Sequence, residues 1–223
     1  GCDHVQARRV AWLEGKRDRG SGIRKFFDIV AEMPEAISLG VGEPDFDTPW
    51  HIREAGIYSL EKGRTFYTSN SGLLELRQEI ANYYKRKHGL DYNGKTEVLI
   101  TVGGSEAIDM ALRAMADPGD EVIIPEPCYV SYVPCAKLTG AVPVTIPLQE
   151  KNEFRLTPEE LLDAITEKTK VLILAFPNNP TGAVMEREDL EKIAKICVER
   201  DIIVISLGFQ EISWQLEKPN LPS

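Results

Sequence analysis

The motif Asn-Asn-Pro-Thr-Gly at positions 178–182 directly follows an apolar run, 171–175, that is predicted to form a buried strand. Two Asn, a Pro and a Gly after a strand predict a sharp turn, and open α/β folds bind ligands at the carboxyl ends of such strands. An Asn amide at that point can donate a hydrogen bond to a ring oxygen or a carboxylate of a small molecule. The alternative is an ordinary strand-to-helix loop that binds nothing.

A second candidate site contains Gly103, Gly104 and Ser105, between a predicted strand at 98–102 and a predicted helix at 105–116. Glycines allow the backbone to approach a ligand closely, and the first turn of the helix presents N–H groups and the positive end of its dipole. The pattern predicts a phosphate-binding site. The alternative is a glycine turn in which Ser105 only caps the helix.

Strand and helix patterns alternate from residue 97 onward, and these elements must position both motifs. Apolar residues recur at helical spacing within 105–116 and 188–199, and Thr157, Pro158 and Glu160 predict a capping box at the start of another helix. The predicted strands are 98–102, 121–124, 141–145, 171–175 and 202–206. This alternation favours an α/β fold with a mainly parallel sheet and helices on both faces.

Upstream of the alternating region, the sequence predicts two helices, 51–62 and 73–87, joined by a polar loop at 63–72. Leu73, Leu76 and Ile80 lie on one face of the second helix at helical spacing. This spacing supports a helix at 73–87.

The composition favours a globular protein that acts on small molecules. A formal net charge of −9 over 223 residues argues against nucleic-acid binding, which rewards clustered Lys and Arg. Neither metal-ligand nor disulfide spacing is present among Cys2, Cys128, Cys135, Cys197, His4, His51 and His88. The apolar runs are too short for a membrane span and the amino terminus has no signal-peptide core, so we expect a cytoplasmic protein with free thiols.

A Rossmann-type nucleotide-binding domain is one alternative for the region around Gly103. Glu126, at the end of the second predicted strand, imitates the acidic ribose ligand of that fold. The third glycine of the Rossmann motif is missing, however, and Pro125 and Pro127 flank the glutamate. The Rossmann interpretation therefore ranks second.

Several further motifs carry a family resemblance. They are Ser-Gly-Ile-Arg-Lys-Phe-Phe at 21–27, Ser-Leu-Gly-Val-Gly-Glu-Pro-Asp-Phe at 38–46, Tyr-Thr-Ser-Asn-Ser-Gly at 67–72, Val-Gly-Gly-Ser-Glu-Ala at 102–107 and Pro-Glu-Pro at 125–127 followed by Tyr129. Together with the motif at 178–182, they make residues 21–206 resemble the pyridoxal-phosphate-dependent aminotransferases of class I/II, fold type I, of the aspartate and aromatic aminotransferase kind.

The resemblance implies roles for individual residues in binding pyridoxal 5'-phosphate, an amino acid and a 2-oxo acid. The backbone of Gly103, Gly104 and Ser105 would hold the cofactor phosphate, and Tyr129 would stack on its ring. Asn179 would donate to the ring's phenolic oxygen and help to bind the substrate carboxylate. The Gly42 amide would face that carboxylate, and Tyr67 would reach the phosphate of the neighbouring subunit in a homodimer.

The chain departs from the family pattern near its end. The family places an Asp that pairs with the ring nitrogen, and three residues later a Tyr, where this sequence has Leu207 and Gln210. The Schiff-base Lys and the carboxylate-clamping Arg belong to family regions that would follow residue 223. Surface roles are expected for Lys168, Lys170, Lys192 and Lys195. We therefore assign no catalytic residue and expect weak or no cofactor binding and no amino transfer by this chain.

The resemblance also predicts how the chain is organised. Residues 1–20 are off-pattern, 21–50 form an arm and a substrate-side loop, 51–206 form a truncated cofactor-binding domain, and 207–223 are an off-pattern tail, as a gene fragment or frame shift would produce. We expect a four-stranded core without 98–102, whose partner strand would be missing, and an open edge at 202–206 that promotes association. Three interpretations stay open: an inactive aminotransferase portion, a non-enzymatic remnant or partner of a full-length homologue, and a Rossmann domain.

Overall fold

The computed structural model describes residues 46–208, which divide into two compact units, 46–101 and 102–208. The first unit contains helices α1 (Trp50–Glu61) and α2 (Leu74–His88). The second contains α3 (Gly103–Met115), β1 (Glu121–Glu126), α4 (Tyr132–Leu138), β2 (Val142–Pro147), a 3-10 turn (Glu150–Asn152), α5 (Pro158–Ala164), β3 (Thr169–Leu174), α6 (Arg187–Glu199) and β4 (Ile203–Ser206). No helix of the described residues is long and apolar enough to cross a membrane.

The four strands form one parallel sheet in the order β2-β1-β3-β4. Val122 in β1 pairs with both Pro143 and Val171, and Leu172 in β3 pairs with Val204. This arrangement confirms the expected parallel core of four strands. β4 is an edge of the sheet among the described residues, and association through it stays a prediction.

Residues 98–102 form no strand, so the strand pattern alone was misleading there, and the expectation that this segment stays outside the sheet is confirmed. The N–H of Ile100 instead donates to the carbonyl of Ser71 at 3.1 Å. A strand needs a neighbouring ladder to satisfy its backbone groups, and alternation of side chains cannot supply that neighbour.

Helices cover both faces of the sheet, as the alternation predicted. Side chains of successive strand residues point to opposite faces, so Val122 and Ile124 pack with Leu112 of α3, while Ile123 packs with Ile193 of α6. All five of these residues are buried. The two apolar clusters hold the strand ends, and thus the loops that follow them, in fixed positions.

Local signals predicted α5 correctly and missed α4. The Glu160 N–H donates to the Thr157 hydroxyl at 3.2 Å and the Thr157 N–H donates to the Glu160 carboxylate at 3.0 Å, which completes the capping box. α4 contains Pro134 in its first turn. Proline suggests a loop in a sequence, but the first turn tolerates it because its N–H groups need no helical partner.

In the first unit, the most buried residues of α2 lie outside its apolar stripe. Leu73 and Leu76 are exposed, and the buried residues of the helix are Arg77 and Ala81. The segment that follows α2 packs on this other face, where a Cβ on Gly94 would lie 2.7 Å from the Cα of Gln78. Spacing identifies a stripe, but only tertiary packing decides which stripe is covered.

Candidate functional site

A cavity of about 300 Å³ lies beside the carboxyl ends of the sheet strands in the second unit. Its volume is at the lower end of small-molecule pockets, roughly 300–1,000 Å³. The cavity is lined by Gly104, Ser105, Ile108, Tyr129, Tyr132, Ala175, Pro177, Asn179 and Leu207.

The strand order explains why a cavity forms here. β2 lies on one side of β1 and β3 lies on the other, so the chain reverses direction across the sheet between β1 and β3. Loops leaving two such strands diverge to opposite faces, and open α/β sheets bind ligands in the resulting crevice. The loop after β1 contributes Tyr129 to the cavity, and the loop after β3 contributes Asn179.

The start of α3 forms one end of the cavity. Gly103 has a φ of +81°, a left-handed conformation that favours glycine, and Gly104 and Ser105 follow it in the first turn. The Ser105 hydroxyl donates to the Ser131 hydroxyl at 3.4 Å, and the Glu106 carboxylate accepts the Val102 N–H. A helix start that presents its backbone N–H groups to a cavity is suited to an anion such as a phosphate.

Two tyrosines after β1 form an aromatic wall. Their ring centroids, of Tyr129 and Tyr132, are 5.9 Å apart and the rings meet at 63°, an edge-to-face contact. Burial raises the pKa of Tyr132 to about 12, with a smaller contribution from Cys128, so this phenol is neutral at physiological pH. Tyr129 is 41% exposed, which leaves ring surface available to a ligand.

Cys128 lies beside this wall and is a poor nucleophile. Burial raises the pKa of its thiol to about 11, and the nearby Glu126 carboxylate adds to the effect. The thiolate is the reactive form of cysteine, so the raised pKa of Cys128 lowers its reactivity at neutral pH.

The turn after β3 places its two Asn side chains differently. Asn178 is 3% exposed, and its amide donates to the Pro127 carbonyl at 3.2 Å and accepts from the Thr181 hydroxyl at 2.9 Å. Asn179 is exposed and lines the cavity. The sharp turn predicted for this motif is present, since the Gly182 N–H donates to the Asn178 carbonyl at 2.8 Å.

An apolar wall formed by Ile108, Ala175 and Leu207 completes the cavity. The Leu207 N–H donates to the Leu174 carbonyl at 3.0 Å, so the β3–β4 ladder fixes the backbone at this position. Among the described residues that line the cavity, none is Asp, Glu, Lys, Arg or His. The cavity therefore combines a helix start, an aromatic face and an amide with a neutral, apolar wall.

Comparison with known proteins identifies the family to which this sequence is similar. Residues 34–206 match the family described as aminotransferase class I and II. The chain belongs to that family. It is 50% identical to an aspartate aminotransferase of Pyrococcus abyssi and 48% identical to aromatic-amino-acid aminotransferase 2 of Thermococcus litoralis, each over 83% of this chain and 48% of the relative.

Solved aminotransferase structures share the fold. The crystal structure of the aromatic aminotransferase from Pyrococcus horikoshii has a TM-score of 0.75 and 48% identity, and the alignment covers 80% of this chain and 48% of that chain. The present chain thus spans about half the length of the aminotransferases it matches.

Class I and II aminotransferases imply pyridoxal 5'-phosphate, and the cavity fits that group in part. The start of α3 suits its phosphate, the exposed face of Tyr129 suits its ring, and the Asn179 amide suits its phenolic oxygen. Leu207 provides no polar partner for the ring nitrogen. The residue types at the helix start, at Tyr129 and at Asn179 thus suit the cofactor, whereas the type at position 207 does not.

Four of the residues selected from sequence, Gly104, Ser105, Tyr129 and Asn179, line this one cavity, and Gly103 directly precedes the first of them. Their proposed contacts with the cofactor stay predictions. Tyr67 is fully exposed in the first unit, and its contact with a neighbouring subunit stays a prediction as well. Gly42 and Gln210 lie outside the described residues.

Sequence reasoning missed Tyr132 and the structural role of Asn178. Tyr132 is one helical turn before Ala136 in α4, and that spacing is the only signal in the sequence that could have indicated this helix. Asn178 belongs to the selected motif, but nothing in the sequence separates the buried Asn from the exposed one.

Proposed function

We propose that this chain forms the cofactor-binding portion of a pyridoxal-phosphate-dependent aminotransferase and that it binds the cofactor weakly and non-covalently without transferring amino groups. The observation that carries the proposal is one cavity lined by a helix start, an exposed tyrosine and an asparagine, between the loops that follow β1 and β3.

The first turn of α3 would hold the cofactor phosphate. The backbone N–H groups of Gly104 and Ser105 lie in this turn, where helical carbonyls are not available as partners. A negative charge near a helix start gains about 0.3–1 kcal/mol, and up to about 2 kcal/mol where it is partly buried. This site would supply most of the polar affinity.

Tyr129 and Asn179 would orient the ring. Offset stacking on the exposed face of Tyr129 contributes about 1 kcal/mol beyond burial of the apolar area. The Asn179 amide would donate to the phenolic oxygen, and this directional bond would select one edge of the ring.

We expect no amino transfer because the cavity lining that the structure describes lacks the groups that would hold a proton at the ring nitrogen and move the α-proton. Bound pyridoxal phosphate supplies an electron-withdrawing ring that stabilises negative charge on the α-carbon of an amino acid. Leu207 cannot hold a proton at the ring nitrogen, and no lysine among residues 46–208 lines the cavity to act as nucleophile or base. The described residues of this cavity would therefore bind the ring but would neither attach it covalently nor move the α-proton.

The wider expectations belong to the same proposal. The substrates of the complete protein would be an amino acid and a 2-oxo acid, with Gly42 near the substrate carboxylate. Tyr67 would reach the partner's phosphate site in a homodimer, and the protein would be cytoplasmic.

A titration with pyridoxal phosphate, followed by absorbance, tests the proposal. We expect weak saturable binding by the chain, weaker binding by Asn179→Ala, and no response to a nicotinamide dinucleotide. Borohydride treatment and intact-mass measurement should detect no stoichiometric pyridoxyl adduct.

Three outcomes would contradict the proposal. One lysine modified at full occupancy would refute non-covalent binding, and amino transfer that Asn179→Ala abolishes would refute inactivity. Binding of the nicotinamide dinucleotide in place of pyridoxal phosphate would favour the Rossmann interpretation.

A further inference from the structure

We propose that Asn178 is a positioning residue that fixes the distance between the two loops on either side of the cavity. The inference rests on the proposed function, because its consequence is the affinity for pyridoxal phosphate. Asn178 does not line the cavity, and its neighbour Asn179 does.

The sheet itself does not hold these loops together. The ladder between β1 and β3 ends at the pair Ile123 and Leu172, although β1 continues to Glu126 and β3 to Leu174. Beyond that pair the two strands form no further ladder pairs, and the loops that follow them line the cavity. The Asn178 amide bridges the gap by donating to the carbonyl of Pro127 at 3.2 Å.

The bridge joins the two loops that carry Tyr129 and Asn179, which line the cavity. Pro127 precedes Tyr129 by two residues in one loop, and Asn178 directly precedes Asn179 in the other. Because Asn178 is 3% exposed, its hydrogen bonds are protected from water. Loss of the bridge would let Tyr129 and Asn179 move apart, and a ring could no longer contact both at once.

The side chain at position 178 must donate to the Pro127 carbonyl and accept from Thr181, and the asparagine amide does both. The Thr181 N–H, which can only donate, lies 3.2 Å from Oδ1, and the Thr181 hydroxyl donates to the same oxygen at 2.9 Å. These contacts identify Oδ1, so Nδ2 faces the Pro127 carbonyl. An Asp at position 178 would keep the contacts with Thr181 and would turn an oxygen toward the Pro127 carbonyl.

Three substitutions separate the bridge from the turn. Asn178→Ala removes the bridge and the contacts with Thr181. Asn178→Asp keeps the contacts with Thr181 and replaces the bridge by a charged oxygen that faces the Pro127 carbonyl. Thr181→Val removes the Thr181 hydroxyl and keeps the bridge, which makes it the matched control. Each protein is titrated with pyridoxal phosphate and with inorganic phosphate, and its fold is checked by far-ultraviolet circular dichroism.

We expect Asn178→Ala and Asn178→Asp each to bind pyridoxal phosphate at least about tenfold more weakly, the effect of losing one buried hydrogen bond. Thr181→Val should bind within about threefold of the unchanged chain. Affinity for inorganic phosphate should stay the same in all three, because the start of α3 belongs to neither loop. A purely structural role would weaken binding of both ligands together.

The alternatives give different patterns. If Asn178→Asp binds pyridoxal phosphate with normal affinity, the loss in Asn178→Ala comes from the turn. If Asn178→Asp binds weakly and Asn178→Ala binds normally, the loss comes from the added charge. Either result overturns the inference. Loss of fold in every Asn178 variant also overturns it, in favour of a role in stability. If the unchanged chain binds no pyridoxal phosphate, the proposed function fails and the inference fails with it.

Discussion

Replacing Leu207 by Asp would place an acid at the apolar wall of the cavity. The Leu207 N–H bond to the Leu174 carbonyl, at 3.0 Å, involves only the backbone, so the substitution leaves the end of the β3–β4 ladder in place. The new carboxylate would therefore start from the same backbone position, next to the site proposed for the cofactor ring.

The structure sets the size of two opposing effects. Leu207 is partly buried and packs against the cluster that contains Ile108. Full burial of a leucine side chain contributes about 1.5–3 kcal/mol, so the partial burial of Leu207 contributes less than that. The free energy of unfolding should therefore fall by about 1 kcal/mol without ligand. A charge-assisted hydrogen bond to the ring nitrogen contributes about 1.5–3 kcal/mol, which corresponds to roughly 10- to 150-fold tighter binding.

The assay is a pyridoxal phosphate titration of Leu207→Asp, Leu207→Asn and the unchanged chain at pH 7. Leu207→Asn keeps the size and polarity of the new side chain without its charge, so it should gain less than about threefold. The gain of Leu207→Asp requires an ionised carboxylate, and it should decrease as the pH falls toward about 4, the ordinary pKa of Asp. Equal affinities of the Asp and Asn variants would refute the reasoning, as would weaker binding by Leu207→Asp than by the unchanged chain.

Four further predictions concern stability and reactivity. Thr157→Ala removes the capping box of α5 and should lower the free energy of unfolding by about 1 kcal/mol in urea titrations, while Thr157→Ser should have little effect. Leu172→Ala opens a cavity at a fully buried position and should cost about 2–5 kcal/mol, and a loss below about 1 kcal/mol would contradict the packing described for the sheet. Gly72→Ala should destabilise the first unit by more than about 1 kcal/mol, because Gly72 has a φ of +93° and its new Cβ would lie 2.5 Å from Cγ1 of Ile100. Unchanged protection of the amides of the first unit from hydrogen exchange would contradict this prediction. The pKa of Cys128 is raised to about 11 from an ordinary 9.0, which lowers its thiolate fraction at pH 8 about 100-fold. Iodoacetamide should therefore modify Cys128 about 100-fold more slowly in the folded chain than in the chain unfolded by urea, as measured by peptide mass spectrometry.

Much of the second unit was predictable because its signals are local. The apolar runs at 121–124 and 171–175 each became a strand of the parallel sheet, since a segment that is apolar on both faces is stable only between two layers of helices. The capping box of Thr157 and Glu160 depends on residues three apart, and it formed as predicted. The glycine pair and the Asn-Pro-Gly turn identified two walls of the cavity for the same reason.

Other features depended on residues that are distant in the sequence. The segment 98–102 has a strand pattern but no neighbouring strand, and α2 buries Arg77 and Ala81 rather than its leucines. The difference between Asn178 and Asn179 is of the same kind. Asn178 is buried and donates to a carbonyl that lies 51 residues earlier in the sequence, whereas Asn179 lines the cavity. The two residues have the same type and adjacent positions, so local sequence does not distinguish them.

The sequence by itself determined the family, the strand and helix pattern, and the residue types available for binding, because each of these depends on short-range spacing and on motifs. The tertiary structure alone decided which residues meet. It placed Leu207 and the start of α3 at one cavity, packed the Tyr132 ring edge-to-face with the Tyr129 ring, and joined the two loops through the Asn178 amide. The physical reason is that burial and hydrogen bonding between distant segments depend on how the strands are ordered in the sheet, and a linear pattern does not specify that order.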